Sequence, residues 1–268
     1  MVRLRHFEAA KTSFKSAVQY RAGMALTIVV TLVTTAVMYA VWSSVYTAGA
    51  SYGNYDFQAI VLHSVLGMII LSLIWDDWDQ MLSNAIYEGS LFTYIIRPVD
   101  FFAYTVWWKT GSRAFAFIIE TIPSLLILSL FFGVDFLTPQ RPLALLAALP
   151  LAFLYYLSLS ILIGCTAFWL KKNKGFKWVM IPIRNVLAGV LIPLTFFPNA
   201  VQEIFFFLPF QYIYYVPSTA YIGNYALTDW NITVWDSILI GYAELLIVGL
   251  LTAFVWRKGK ARYEGVGV

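Results

Sequence analysis

The chain has 268 residues, 60% of them hydrophobic and only 12% charged, with a mean hydropathy of +0.74. A water-soluble domain carries about half its residues as apolar and about a quarter as charged, so a soluble enzyme is excluded. Gly (16) and Pro (10) are ordinary in number and aromatics reach 18%, which excludes fibrous and disordered classes. The single Cys165 lies in an apolar run and excludes a disulfide framework. What remains is a polytopic membrane protein.

The chain opens on an amphipathic stretch. Leu4, Phe7, Ala10, Phe14, Ala17 and Val18 recur at helical spacing, while Arg5, Glu8, Lys15 and Gln19 fall on other faces. That pattern predicts an interfacial helix over residues 1–23 rather than a frayed tail. The basic region is too long, and the first apolar run too full, for a cleaved signal peptide. A hydrocarbon core about 30 Å thick needs about 20 helical residues. Six segments meet that length: Met24–Val45, Phe57–Trp75, Ala114–Val134, Leu143–Leu170, Trp178–Phe197 and Trp235–Trp256. All ten Trp lie near a predicted helix end or in a segment leading into one, the depth that indoles prefer.

Lys and Arg give the orientation. Sixteen of the eighteen lie in the N-terminal arm, the loop after the second span, the Lys171–Lys177 loop and the tail Arg257–Arg262. Six crossings put those four regions on one side, which the positive-inside bias makes cytoplasmic, both termini included. Ile204–Thr228 is uncharged and long enough for a seventh crossing, but Pro209 and Pro217 interrupt it. A seventh crossing would also move the basic tail outside. The segment is therefore read as an external re-entrant hairpin over 198–234, in preference to a loop lying on the outer leaflet. The predicted fold is all-α: one transmembrane domain over 1–268 with six transmembrane helices, the N-terminal interfacial helix and that hairpin before the last span.

Catalytic and metal signatures are missing: there is no GxxxxGK[ST], HExxH or CxxC. His6 and His63 are isolated, and His63 reads as a satisfied interhelical hydrogen-bonder. Charges within the spans are costly and hence informative. Glu120 and Arg184 fall at similar depth, about 9–10 Å from the same side, so they either pair or snorkel separately. Glu244 lies about 20 Å deep with no evident partner. Between the second and third spans, residues 76–112 open with Asp76, Asp77 and Asp79. They continue as Met81–Pro98, whose Leu82, Ala85, Ile86, Leu91, Tyr94 and Ile95 share one side of short helices broken near Gly89. A loop built this way suits docking to a soluble partner or lying on the inner leaflet.

The run Tyr87-Glu88-Gly89-Ser90-Leu91, followed by Ile95-Ile96-Arg97-Pro98-Val99, resembles the E-x-G-x-L…RP element of type-2 ABC transporter permeases. More narrowly, it is similar to their small bacterial six-span branch. The Pro-punctuated segment Leu194–Tyr221, with Phe197-Pro198, Leu208-Pro209 and Val216-Pro217, resembles the same family's external hairpin. One departure is that Gly189–Phe196 lacks the Gly these proteins often place just before the hairpin. The resemblance implies a half-transporter in a bacterial plasma membrane, paired with a second permease chain, the same or related. A separate ATP-binding-cassette ATPase would bind ATP and Mg, leaving no cofactor, metal or catalytic residue in this chain and no nucleic acid among its partners. Glu88, Gly89, Ser90, Leu91, Arg97 and Pro98 would form the coupling element seated in the ATPase. Phe197, Pro198, Pro209 and Pro217 would form the outer gate, and an apolar or amphipathic cargo would be exported. The competing reading is a proton-coupled secondary transporter using Glu120 and Glu244.

Overall fold

Lipid offers peptide groups no hydrogen-bond partner, and every regular element among the described residues is accordingly helical. The computed structural model describes residues 2–19, 21–46, 54–74, 77–95, 101–132, 138–170 and 174–263. The elements are α1 (Val2–Gln19), α2 (Arg21–Val45), α3 (Phe57–Ile74), α4 (Trp78–Tyr87), α5 (Leu91–Ile95) and α6 (Phe101–Ala116). They continue as α7 (Ile122–Phe132), α8 (Pro142–Cys165), α9 (Lys174–Leu187), α10 (Asn199–Phe206), α11 (Tyr215–Ile222) and α12 (Val234–Ala261). A π-helical turn, Phe117–Thr121, fuses α6 to α7 as one rod. The helix α8 sits at the centre. Its Ala148, Leu151, Ala152, Tyr155 and Tyr156 join Trp78, Leu82, Tyr212, Tyr214 and Ile238 in the main core.

Among the described residues, five helices rather than six are long and apolar enough to span a bilayer. The segment predicted as the fifth span, 178–197, holds only the last ten residues of the 14-residue α9, a helix about 21 Å long. Gly189 stops it. With φ at +77°, its N–H donates to the Val186 carbonyl while Val190 N–H reaches back to Asn185, both at 3.0 Å. Those two bonds are a Schellman cap, which needs a left-handed residue and therefore favours glycine. Lys177 holds α9 to the end of the molecule where α3 gives way to α4, and Gly189 lies against His63 inside α3. The rest of the predicted span is irregular backbone up to α10, with Ala188 and Leu194 buried and Leu191 and Ile192 exposed.

Irregular backbone continues into the hairpin, and the hairpin enters the bundle. Asn199 donates to Asp229 at 2.9 Å, Asn224 to the Asn54 carbonyl at 3.1 Å, and Gln140 N–H to Tyr221 at 2.8 Å. These contacts mark one end of the molecule. The turn between α10 and α11 lies far below them. Tyr214 meets Gly67, and Tyr212 meets Gly241, which places the turn about 10–15 Å along α3 and α12. Tyr212 stacks on Tyr155 with ring centroids 4.9 Å apart, and residues 212–216 are fully buried. Pro217 does not interrupt the segment. It occupies the first turn of α11, where its missing N–H costs nothing.

The interfacial helix α1 packs along α6, burying Ala9, Ser13 and Ala17 at four-residue spacing and leaving Val18 exposed. Phe14 meets Phe115 edge-on at 5.2 Å. The two backbones touch at Gly111, where a Cβ would fall 2.0 Å from the Ala10 carbonyl oxygen. Gly111→Leu is expected to separate α1 from α6, since backbone cannot yield as a flexible side chain does. Limited proteolysis of residues 2–19 in the purified variant checks this, and a wild-type cleavage rate would contradict it.

Candidate functional site

The segment expected to act as a coupling element starts from α4, which rests on α8 at a glycine. A Cβ at Gly164 would stand 3.0 Å from Leu82 Cβ and 3.1 Å from the Asp79 carbonyl oxygen. Trp78, Asp79, Leu82, Ser83, Ala85 and Ile86 are the buried side of α4. At its end Glu88 N–H bonds the Asn84 carbonyl at 2.8 Å, and Gly89 turns the chain at φ +75°. Ser90 then accepts from Thr93, through both its N–H at 3.1 Å and its hydroxyl at 2.7 Å, which starts α5. The outcome is a rigid turn between two helices. Leu91 is fully buried in the main core, while Tyr87 (42%) and Phe92 (52%) stand out beside exposed Glu88 and Thr93. Leu91 is therefore the element's anchor rather than its contact surface. Arg97 and Pro98, and the side chains of Tyr94 and Ile95, lie outside the described residues.

A cation locks the start of α4. Lys177 Nζ lies 2.8 Å from Asp77 Oδ1 and 3.1 Å from Asp79 Oδ1, joining the first turn of α9 to the coupling element. Asp77 is largely exposed; Asp79 and Lys177 are largely covered. Burial pulls the Lys177 pKa down, but the hydrogen bonds and charges of Asp77 and Asp79 outweigh it and raise the value above the ordinary one. With the folded value raised, the ammonium's contribution is complete below the ordinary lysine pKa of about 10.4. It disappears only as pH climbs through the folded value.

At the hairpin, a histidine ties irregular backbone to a helix. His63 Nε2 is 2.8 Å from the Gly189 carbonyl. A carbonyl only accepts, so Nε2 carries the proton, and Nδ1 faces the Tyr55 and Ser218 hydroxyls, each at 3.4 Å. The Tyr214 hydroxyl donates to the His63 carbonyl. Of the residues expected to form the outer gate, Phe197 is extended, packing on Phe205 at 5.1 Å, and Pro198 precedes α10 as its cap residue. Pro209 sits in the buried turn and Pro217 in α11. His63→Leu leaves the Gly189 carbonyl without this donor, which costs about 1–3 kcal/mol. A thermal unfolding midpoint several degrees lower is expected in detergent, and an unchanged midpoint would contradict the role.

The structure does not bring the three intramembrane charges into one cluster that can be described. Glu120 falls in the π-helical turn, and its side chain lies outside the described residues. Arg184 is 5% exposed, with its guanidinium carbon 4.5 Å from the Tyr156 ring centroid, a cation–π contact. Glu244 is half-buried on α12 within electrostatic reach of Tyr155, Tyr212 and Tyr225. It faces the deep turn of the hairpin at Tyr212, a setting its sequence neighbours give no sign of.

Residues 32–267 match the family described as ABC-2 family transporter protein. The chain belongs to that family. No curated protein matches the chain. This ABC-2 protein is thus the multi-pass membrane component of an ABC transporter, a class that works with an ATP-binding subunit. The match covers both the coupling element and the hairpin, and begins inside α2, beyond α1.

Proposed function

We propose that this ABC-2 protein is the permease half of a bacterial plasma-membrane exporter, moved by a separate ATPase docked under the α4–α5 turn. The carrying observation is the Tyr87–Thr93 turn: two exposed aromatics and a carboxylate, on backbone fixed by Gly89 and anchored by Leu91. A ligand shifts a conformational equilibrium only by its differential affinity for the two states. ATP and Mg, held by the partner, would favour ATPase closure, and the rigid turn would carry that movement into α4. Lys177 then connects α4 to α9, and Gly189 with His63 connects α9 to the hairpin that covers the outer side.

A second permease chain, the same or related, would complete the path. The outward faces of α2 (Leu26, Val29, Val33, Val37) and α12 (Leu246, Leu250, Phe254) are exposed and apolar, which suits lipid and a neighbouring chain alike. Both termini would be cytoplasmic, and the aromatic, charge-poor interior supports an apolar or amphipathic cargo. Affinity purification of tagged protein from its host in mild detergent, with mass spectrometry, tests the reading. Stoichiometric recovery of an ATPase bearing GxxxxGK[ST] is expected. Recovery of the folded chain alone would favour a proton-coupled carrier and direct attention to Glu120 and Glu244.

A further inference from the structure

The last helix returns to the α4–α5 turn. Tyr263, just beyond α12, packs against the core that holds Leu91. It lies edge-on to Phe168 with ring centroids 6.1 Å apart, and its hydroxyl comes within reach of the Phe92 backbone. Phe168 belongs to the short 3-10 turn Thr166–Phe168 that ends α8 and packs on α4. Its ring seats in α12 at Gly259, where a Cβ would fall 2.1 Å from the ring. Trp256 closes the cluster, meeting Phe102 at 4.7 Å and Phe168 at 5.8 Å. The same helix grips the hairpin. Gly241 lies eighteen residues before Gly259, about 27 Å along α12. A Cβ there would stand 2.6 Å from Tyr212 Cε1, and the Gly241 carbonyl accepts from the Tyr155 hydroxyl at 2.8 Å. No proline interrupts Val234–Ala261, so both glycine contacts sit on one unbroken rod. The route through α9 differs, since that helix stops at Gly189 and continues as irregular backbone. Close-packed contacts leave no slack to absorb a shift. Of the two paths, α12 is the stiffer.

We propose that α12 is a second transmission path between the α4–α5 turn and the hairpin. Tyr263 and Phe168 are its positioning residues, carrying movement of the turn into α12, and Gly241 passes that movement to Tyr212. The inference rests on the transport reading above, because an ATPase must first move the turn. A rod clasped near both ends by aromatic rings on glycine carries a tilt from one clasp to the other, whereas a broken helix can bend between them.

Lying between two sites is not coupling, so the test reads the far end. The full chain is purified with its ATPase in lipid nanodiscs, carrying Ile204→Cys labelled with an environment-sensitive fluorophore. Ile204 is exposed on α10 of the hairpin, and the native Cys165 is buried, which keeps the label off it. ATP, Mg and orthovanadate should change the emission. Adding Tyr263→Ala should shrink that response about fivefold or more, the scale of coupling between sites, while ATPase recovery, ATP hydrolysis and the thermal midpoint stay unchanged. Tyr263→Phe keeps the ring against Phe168 and should keep most of the response. Gly259→Ala turns the Phe168 ring off α12 with Tyr263 intact, and should shrink the response as well. A full response in Tyr263→Ala, or none in the labelled parent with ATPase bound, would overturn the proposal. If Tyr263→Ala loses its fold or its ATPase, Gly259→Ala decides, and a full response there overturns it. A parent chain that recovers no ATPase is a separate result: it removes the transport reading, and this inference with it.

Discussion

Phe92→Asp is expected to abolish recovery of the ATPase subunit while the chain still inserts, purifies and unfolds at its wild-type temperature. The side chain is about half exposed on a turn whose backbone is already fixed, so the substitution removes little packing. Exposed aromatics on rigid turns are typical interface anchors. Their loss costs about 2–4 kcal/mol, which lowers affinity by about 30-fold or more. Leu91→Asp is predicted to behave differently. It puts a carboxylate into the core between α4 and α8, and the protein should fail to fold, with or without a partner. The pair separates docking from folding. A Phe92→Asp protein that recovers its ATPase at wild-type yield would move the docking surface away from this turn.

Lys177→Ala should be the most damaging single change outside the core. Asp79 is nearly buried and Lys177 is the cation beside it at 3.1 Å, so the substitution leaves an acidic group covered without that partner. Removing one member of a buried pair costs about 3–5 kcal/mol. The first turns of α4 and α9 would then separate. Unfolding followed by heating in detergent should show the loss, and transport should fall even where ATPase still co-purifies. Lys177→Ala combined with Asp79→Asn should recover part of the stability, because no charge is then left buried. No recovery in the double variant would mean that Lys177 acts through packing rather than charge.

How much of this was legible depends on the range of the interaction that decides each feature. Hydropathy is a local sum, and five of six spans were found where composition put them. The failure at 178–197 was one of precedence. Composition favoured a full helix there, yet Gly189, followed four residues later by Pro193, is a helix-stop signal in plain view. Thr233 and Asp236 likewise form a capping box at the start of α12, a three-residue spacing readable from sequence. The Lys177–Asp79 pair and the His63–Gly189 bond span about a hundred residues and more, and no local pattern announces them. The Asp trio and the basic loop were each noticed, but only the fold shows that they meet. That Leu91 faces the core is hidden for the same reason: a motif names a residue, not which way it faces.

The close contact of Ala10 with Gly111 has a consequence for synthesis. The helix that carries Ala10 leaves the ribosome ahead of the surface it needs, which is made about 100 residues later, a delay of about 5–20 s. Through that interval α1 has an apolar face and no protein to cover it. An amphipathic helix in that position rests on the bilayer surface, and it would wait there while α2 and α3 insert. Its later move onto α6 would trade lipid for a glycine groove. That makes a helix translated ahead of α2, α3 and α6 one that reaches its final place after them, and a stage at which a nascent chain can be delayed.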